Sequence, residues 1–148
     1  MLEIDLLNHK HVPDIYLWSS REQRLALLQG LLDTDGTTDG SGVSFCNTNQ
    51  QIIEATSHLI RSLGYKSYVR EYRAKLNGRD CGPAWLVSFT PSVPVFRLKR
   101  KLQRQNIALR RTTRFRYIVE AEKINPVPMK CLKVWAEDGL FLAGESLI

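Results

Sequence analysis

Two aspartates, Asp33 and Asp35, stand two residues apart directly before Gly36. The apolar spacing upstream predicts a helix that ends here, so both carboxylates would lie at its C-terminal end. Negative charge is disfavoured at that end, because the helix dipole already places its negative pole there. A bound cation explains the pair better than helix stability does, since hard divalent metals prefer carboxylate oxygens. The alternative is that both are ordinary residues of a helix end or turn.

The helix that would carry these carboxylates has a recognisable start and a small-residue face. Ser19 and Ser20 are each followed, three positions later, by a residue that completes a capping box. Ala26 and Gly30 are small and four residues apart, so they would let another helix approach closely. A glycine inside a helix costs ~1 kcal/mol relative to alanine. Gly30 therefore suggests that something occupies the space beside it.

The net charge of +6 conceals an uneven distribution along the 148 residues. Residues 1–60 carry a net charge of −5, residues 61–117 carry +13, and residues 118–148 carry −2. A central segment this basic is typical of a surface that binds a polyanion. For residues 97–116 alone, a solvated basic helix face is the alternative.

Hydrophobic periodicity and turn residues predict a mixed α+β chain. The central turn, Asn77-Gly78, is the strongest short hairpin signal in the sequence. We expect a domain boundary near residue 112, after which the pattern changes to strands. The predicted elements are the first helix up to Asp35, a hairpin turn at 37–42, a strand at 43–48, a helix at 50–63, strands at about 65–75 and 84–90, a basic helix at about 95–104, and strands at 115–124, 129–135 and 140–143.

The first strand of the Asn77-Gly78 hairpin alternates basic or aromatic residues with others, so the former share one face. The opposite face is expected to be covered by helices, with Val69, Val87 and Phe89 as candidates. Arginines can read guanine edges, and lysines would mostly contact phosphates. The predicted contacts to double-stranded DNA are Lys66, Tyr68, Arg70, Tyr72, Lys75, Arg79, Ser88 and Thr90.

The segment LQGLLDTDG at residues 28–36 resembles the nonapeptide of the LAGLIDADG homing endonucleases. The predicted order, αββαββα, is also that of one LAGLIDADG half, which would occupy residues 1–112. The resemblance implies that Asp35 is the metal-binding catalytic carboxylate, with Mg2+ or Mn2+ as cofactor. It implies a helix–helix interface containing Ala26, Gly30 and Asp33. Because such enzymes use two carboxylates, the 21–34 helix would pair with a second copy or with a missing N-terminal half.

The stretch before the motif is similar to that preceding the second motif of intein-borne LAGLIDADG enzymes. Lys10 precedes a Val-Pro pair, as in that group, and the match makes it a candidate to stabilise the phosphate or polarise the attacking water. A solvated surface lysine is the alternative. His9, His11 and His58 stand alone in the sequence, and none is assigned a ligand role.

Residues 128–134 and 139–148 resemble the closing strands of an intein splicing (Hint) domain, which would make residues 113–148 an incomplete segment of it. Cys131 falls where some inteins carry a nucleophile; a buried strand cysteine is the alternative. The N-terminal splicing block and the terminal His-Asn of that family are not in the sequence. We therefore expect that the chain does not splice by itself.

The resemblance implies an intein-derived, metal-dependent, site-specific DNA endonuclease. Two other possibilities remain open: a DNA-binding module without catalysis, and the C-terminal piece of a split intein that acts with a partner chain. No apolar run approaches the ~20 residues of a membrane span, and the acidic start is not a signal peptide. Three scattered cysteines fit a reducing compartment. We expect an intracellular, cytoplasmic protein that acts at DNA.

Overall fold

The computed structural model describes residues 9–107, 115, 117–141 and 143–144. Within these residues, every helix is too short or too polar to span a membrane. The secondary structure elements are α1 (Asp14–Leu17), α2 (Arg21–Asp35), β1 (Gly36–Thr38), β2 (Val43–Asn47), α3 (Gln50–Ser62), β3 (Tyr68–Leu76), β4 (Arg79–Phe89) and α4 (Lys99–Leu102).

The start of α2 is fixed by Ser20, the second of the two predicted caps. Its hydroxyl accepts the N–H of Gln23, and the Gln23 side chain accepts the N–H of Ser20, which completes the capping box. Leu28 and Leu32 lie on the buried face of the helix and are fully buried. The predicted helix is therefore confirmed at both ends.

Gly36 ends α2 for a different reason from the one usual at helix ends. Its φ of −78° is available to every residue, so a left-handed conformation is not what requires glycine here. A Cβ at this position would lie 2.5 Å from the carbonyl oxygen of Leu32. The chain thus turns from helix into β1 so tightly that only a residue without a side chain fits.

The four strands form one antiparallel sheet in the order β1-β2-β4-β3. Val43 and Phe45 of β2 pair with Phe89 and Val87 of β4, and all four are buried. They face α2 and α3, with Ile53 of α3 in the same core. One face of the sheet is covered by helices, as predicted.

The Asn77-Gly78 turn is confirmed, with φ of 51° and 81° at its two positions. Positive φ at both central residues suits the right-handed twist of the hairpin strands. β4 is longer than predicted, because it begins at Arg79, directly after the turn, whereas β3 begins only at Tyr68 and is shorter than predicted. The pairing of β2 with β4 ends at Asn47 and Trp85, so the outer part of the hairpin extends beyond β2 as an arm.

The predicted basic helix at 95–104 is wrong in extent, since α4 covers only Lys99–Leu102. Val95 and Phe96, which precede it, are buried in the core. Their segment is held by side-chain acceptors, with the N–H of Val95 bonded to Gln105 Oε1. Tertiary packing therefore replaces helical pairing over residues 95–98.

The predicted C-terminal strands are not formed in the described part of residues 115–144, where the chain is turn or irregular. Ile118, Val119 and Trp135 are more than 90% exposed. A strand needs a hydrogen-bonded neighbour, and no described segment pairs with these residues. The predicted boundary at residue 112 and the last four residues, 145–148, lie outside the described residues. The division into two domains stays a prediction.

Candidate functional site

Asp35 is the last residue of α2, and its side chain is exposed. No described residue donates a hydrogen bond to its carboxylate or forms an ion pair with it. The next residue, Gly36, begins the edge strand β1 and pairs with Phe45. Asp35 therefore presents a free carboxylate at the junction between the helix and the edge of the sheet.

Lys101 of α4 reaches back to this junction. Its Nζ donates to the carbonyl oxygens around Asp35, at 2.9 Å from Leu32, 2.9 Å from Asp33, 3.2 Å from Thr34 and 2.7 Å from Gly36. The last carbonyls of a helix lack intrahelical partners, and a cation there opposes the negative end of the dipole. The ammonium group thus caps the C-terminus of α2.

Sequence reasoning missed Lys101 because it lies in a basic run with Lys99 and Arg100. Only the fold separates them: Lys101 is half-buried, with Nζ 5.8 Å from the centre of the buried Phe96 ring, whereas its two neighbours are exposed. No local pattern distinguishes the three residues.

Asp33, predicted at a helix–helix interface, uses its carboxylate inside this chain. It accepts the backbone N–H of Arg97 at 3.1 Å and that of Leu98 at 3.2 Å. One turn earlier on α2, Gln29 accepts from Arg97 Nε at 2.8 Å and donates to the carbonyl of Pro94 at 3.2 Å. These contacts hold the segment that leads into α4.

The other predicted interface residues leave room beside α2. Gly30 is exposed, and a Cβ added there would meet no described atom within 4 Å. Ala26 is half-buried. The space that Gly30 leaves is therefore not filled from within the described part of the chain, and its use by another helix stays a prediction.

The uncovered face of the sheet carries the predicted strand residues. Tyr68, Arg70 and Tyr72 are exposed, and they lie in register with Ser88, Leu86 and Ala84 of β4. On the covered face, Val87 and Phe89 are buried as expected. Val69 shares that face but stays 38% exposed, because β3 is an edge strand.

The uncovered face also includes two residues of β2 that sequence reasoning missed, Ser44 and Cys46. They pair with Ser88 and Leu86. The alternation along β2 could have identified them, because Val43 and Phe45 point to the core and the residues between and after them point to the other face. The face therefore extends from β3 across β4 to β2.

Tyr72 spans this face, because its hydroxyl contacts Cys46 Sγ two strands away. Ala84, its register partner on the intervening strand, is only 1% exposed although it lies on the uncovered side. The hydrogen bond with Cys46 is the largest cause of a raised pKa at Tyr72, followed by burial. Tyr72 is thus a fixed part of the surface rather than a freely moving side chain.

The remaining predicted DNA contacts lie at the two ends of this face. Lys75 and Arg79 are exposed at the tip of the arm. At the other end, Lys66, Ser88 and Thr90 line a shared cavity, and Lys66 contacts the carbonyl of Phe115. All eight predicted residues therefore lie along one hairpin and the cavity at its base.

Arg73, on the arm, was not among the predicted contacts. It forms an ion pair with Asp80 at 2.7 Å, and this hydrogen bond is the largest cause of the lowered pKa of the Asp80 carboxyl. The pair neutralises two charges in the middle of the arm. Lys75 and Arg79, by contrast, have no carboxylate partner among the described residues.

Lys10 is exposed, and its carbonyl accepts a hydrogen bond from Asn49 Nδ2 at 2.7 Å. Asn49 follows β2 at the end nearest the α2–β1 junction, because Gly36 pairs with Phe45. No described contact joins the Lys10 side chain to Asp35. A catalytic role for Lys10 stays a prediction.

The three histidines lie around one cavity. His9, His11 and His58 line a cavity between the N-terminal segment and α3, and the His58 ring stacks edge-on with Trp18 at 4.9 Å. Burial, followed by the charges of Arg24 and Arg61, lowers the pKa of His58. Within the described residues, no group of three or more His, Cys, Asp or Glu side chains is placed to hold a metal.

A divalent metal fits Asp35 only as part of a larger ligand set. Mg2+ is commonly held by one or two carboxylates together with water and substrate phosphate oxygens. Asp35 supplies one exposed carboxylate. A second carboxylate would have to come from another polypeptide segment.

Cys131 is exposed, and no described residue near it is in a strand, so the buried strand cysteine of the alternative is not formed in the described residues. All three cysteines are free thiols. A splicing role for Cys131 stays a prediction.

Comparison with known families identifies the domain. The model of the LAGLIDADG-like domain matches residues 22–116, which include all of α2 except its first residue, the whole sheet and α4. The chain belongs to the LAGLIDADG-like family. Its mixed α+β architecture and antiparallel four-stranded sheet are consistent with that membership.

The LAGLIDADG-like chain is also similar to a curated protein, the replicative DNA helicase DnaB of Mycobacterium intracellulare. The two are 36% identical over 149 aligned positions, which cover 98% of this chain and 26% of the helicase. The chain thus spans about a quarter of the length of this relative.

Proposed function

We propose that the chain is one half of a divalent-metal-dependent, site-specific DNA endonuclease of the homing type. One observation carries the proposal: the free carboxylate of Asp35 lies where α2 meets the edge of a sheet whose uncovered face carries Tyr68, Arg70 and Tyr72. A group suited to bind metal and a surface suited to bind DNA are thus joined by one helix–strand junction.

The uncovered sheet face is proposed to bind the DNA duplex. The major groove admits a two-stranded β-ribbon, and the arm formed by β3 and β4 has that form. Arg70 would reach base edges, and Lys66, Lys75 and Arg79 would contact phosphates at either end. Leu86 adds apolar surface between them, which suits contact with thymine methyl groups.

Asp35 is proposed to be a ligand of the metal at the scissile phosphate. When bound, a divalent metal would activate water and stabilise the leaving oxygen of a phosphodiester. The protein's own part is to hold the carboxylate at the edge of the DNA-binding face. Lys10 is retained as a candidate for contact with the phosphate, since its backbone is anchored near the same junction.

A second half is proposed to pack against α2. Because Gly30 leaves open space and Ala26 is small, another helix can approach closely and bring a second carboxylate near Asp35. The partner is either a second copy of the chain or a separate N-terminal half. In the first case the target would have two-fold symmetry, as the protein would.

The proposed setting is an intein within a replicative helicase. Two similarities support it: that to a quarter of a DnaB helicase, and the resemblance of residues 128–134 and 139–148 to intein closing strands. Exposed apolar residues such as Ile118, Val119 and Trp135 suit strands that form only against the rest of a splicing domain. The chain would then also take part in protein splicing with a partner segment.

The proposal is tested with duplex DNA spanning an uninterrupted helicase gene, incubated with the purified chain in Mg2+ or in EDTA. We expect binding in both, and, once the second half is present as a second copy or an added N-terminal half, cutting of both strands at one position in Mg2+ only. Salt-sensitive binding without any cutting, also after addition of a candidate N-terminal half, would favour the DNA-binding module without catalysis. Cutting that persists in EDTA would contradict the metal-dependent proposal.

A further inference from the structure

We infer that Lys101 is a positioning residue that fixes the direction of the Asp35 carboxylate, and that Asp33 holds Lys101 in place for this purpose. The inference rests on the proposed function of Asp35. It assigns to Lys101 a backbone-binding role instead of direct contact with substrate. Three features of the structure carry it: the carbonyls bound by Lys101, the environment of its charge, and the way α4 is attached.

The carbonyls that Lys101 binds lie on both sides of Asp35. Those of Thr34 and Gly36 directly flank it, and those of Leu32 and Asp33 belong to the same helical turn. An ammonium group has three protons. Four carbonyl oxygens within 3.2 Å therefore occupy its donors, so the group is directed at the backbone.

The charge of Lys101 is needed at this point. The C-terminus of α2 is the negative end of the helix dipole, and it also carries the carboxylates of Asp33 and Asp35. Without a cation these charges would favour fraying of the last turn. A frayed turn would have to be ordered each time a metal bound, which weakens binding.

The attachment of α4 explains how Lys101 is held. With four residues, α4 is too short to be stable alone. Asp33 binds the N–H groups of Arg97 and Leu98 just before it, and Gln29 binds the Arg97 side chain. Since Gln29 and Asp33 are four residues apart on α2, one helix both carries Asp35 and positions the residue that steadies it.

The experiment measures Mn2+ affinity at Asp35 in the intact chain paired with its second half, through paramagnetic broadening of the backbone N–H signals of Thr34, Asp35 and Gly36. We expect Lys101→Met to weaken Mn2+ affinity about tenfold, and the matched variant Lys99→Met to change it less than twofold. Asp33→Ala should weaken it severalfold. Asp33→Asn, whose amide oxygen can still accept both N–H groups, should restore most of the affinity.

A second readout needs neither metal nor DNA. The N–H of Gly36 donates to Leu32 at the end of α2, so its hydrogen exchange reports fraying. We expect exchange to accelerate about tenfold in Lys101→Met and not in Lys99→Met. In a separate measurement, the duplex affinity of Lys101→Met in EDTA should stay within twofold of the wild type.

The outcomes separate this inference from the proposed function. If the wild type binds no Mn2+ at Asp35 with its second half present, the proposed metal role fails, and the exchange readout still decides whether Lys101 steadies the helix end. If Lys101→Met matches Lys99→Met in both Mn2+ affinity and Gly36 exchange, the positioning role is overturned. It is also overturned if Lys101→Met lowers duplex affinity as strongly as Arg70→Ala, because Lys101 would then contact DNA.

Discussion

Lys101 Nζ lies 2.7 Å from the carbonyl oxygen of Gly36, although 65 residues separate the two in sequence. This contact joins the last helix of the domain to the junction where α2 becomes β1. It places a positive charge at the end of the helix that carries Asp35. The proposed active site is therefore assembled from both ends of the family domain.

Arg70 is predicted to contribute directly to duplex binding, because it lies exposed in the middle of the uncovered sheet face. Arg70→Ala should weaken duplex affinity about tenfold at moderate salt, as expected for loss of ~1–3 kcal/mol from a base contact. Arg21→Ala, which removes an equal charge at the exposed start of α2, is the matched control. Fluorescence anisotropy over a salt series measures both, and equal losses would show that net charge alone drives binding.

Gly30 is predicted to matter for pairing and not for the fold of the single chain. Gly30→Ala should raise the free energy of unfolding by about 1 kcal/mol, because the new methyl group meets open space and alanine favours helix. Gly30→Leu should instead block close approach of a second helix.

Denaturant unfolding and sedimentation equilibrium separate the two effects of these substitutions. We expect Gly30→Leu to abolish self-association, or association with an added N-terminal half, at concentrations where the wild type pairs. Unchanged association in Gly30→Leu would place the pairing surface elsewhere.

Tyr72 is predicted to make stability fall at alkaline pH. Its pKa is raised above the ordinary value of 10.0, mainly by the hydrogen bond with Cys46. The stabilisation is therefore fully present below the ordinary pKa and is lost as pH rises through the folded-state pKa. Free energies of unfolding from about pH 8 to 11 should fall less steeply in Tyr72→Phe. Identical slopes in the two proteins would mean that the contact does not form in solution.

His58 is predicted to make the stability of the fold decrease at acidic pH. Its pKa is lowered from 6.5, with burial as the first cause and the charges of Arg24 and Arg61 next. Because the folded state favours the neutral ring, the stabilisation is present above pH 6.5 and decreases as pH falls through the folded-state pKa.

Replacement by an uncharged ring tests this prediction for His58. His58→Phe keeps an aromatic partner for Trp18 and should flatten the loss of stability between about pH 7 and 5. Trp18 fluorescence should change with the same midpoint in the wild type only. An unaltered pH profile in His58→Phe would contradict the assignment.

Local chemistry predicted those parts of the fold that depend on neighbouring residues. Ser20 with its capping box and Asn77-Gly78 with its turn are such cases, because the partners lie within a few positions. The alternation along β3 likewise predicted which side chains share the uncovered face. Gly36 ends the helix as the sequence predicts. The reason is its close contact with Leu32, which becomes visible only in three dimensions.

Long-range contacts account for what the sequence could not predict. The sequence motif predicts Asp33 at a helix interface but does not reveal that its carboxylate accepts the backbone N–H groups of Arg97 and Leu98, 64 and 65 residues away. Lys101 could not be separated from its basic neighbours for the same reason. The C-terminal alternation is typical of strands, but strands need a partner that the described residues do not supply.

The central claim is that Asp35 binds the metal that cuts DNA, and its most direct test compares Asp35→Asn with Asp39→Asn. Asp39 lies four residues later in the β1–β2 loop, is also exposed, and accepts the N–H of Gly42. Cleavage rate in Mg2+ and duplex affinity in EDTA are measured for both, with the second half present. We predict that Asp35→Asn reduces cleavage at least a thousandfold, about 4 kcal/mol of transition-state stabilisation, with duplex affinity within twofold. Asp39→Asn should cleave like the wild type, and an Asp35→Asn variant that still cleaves at the wild-type rate would contradict the account.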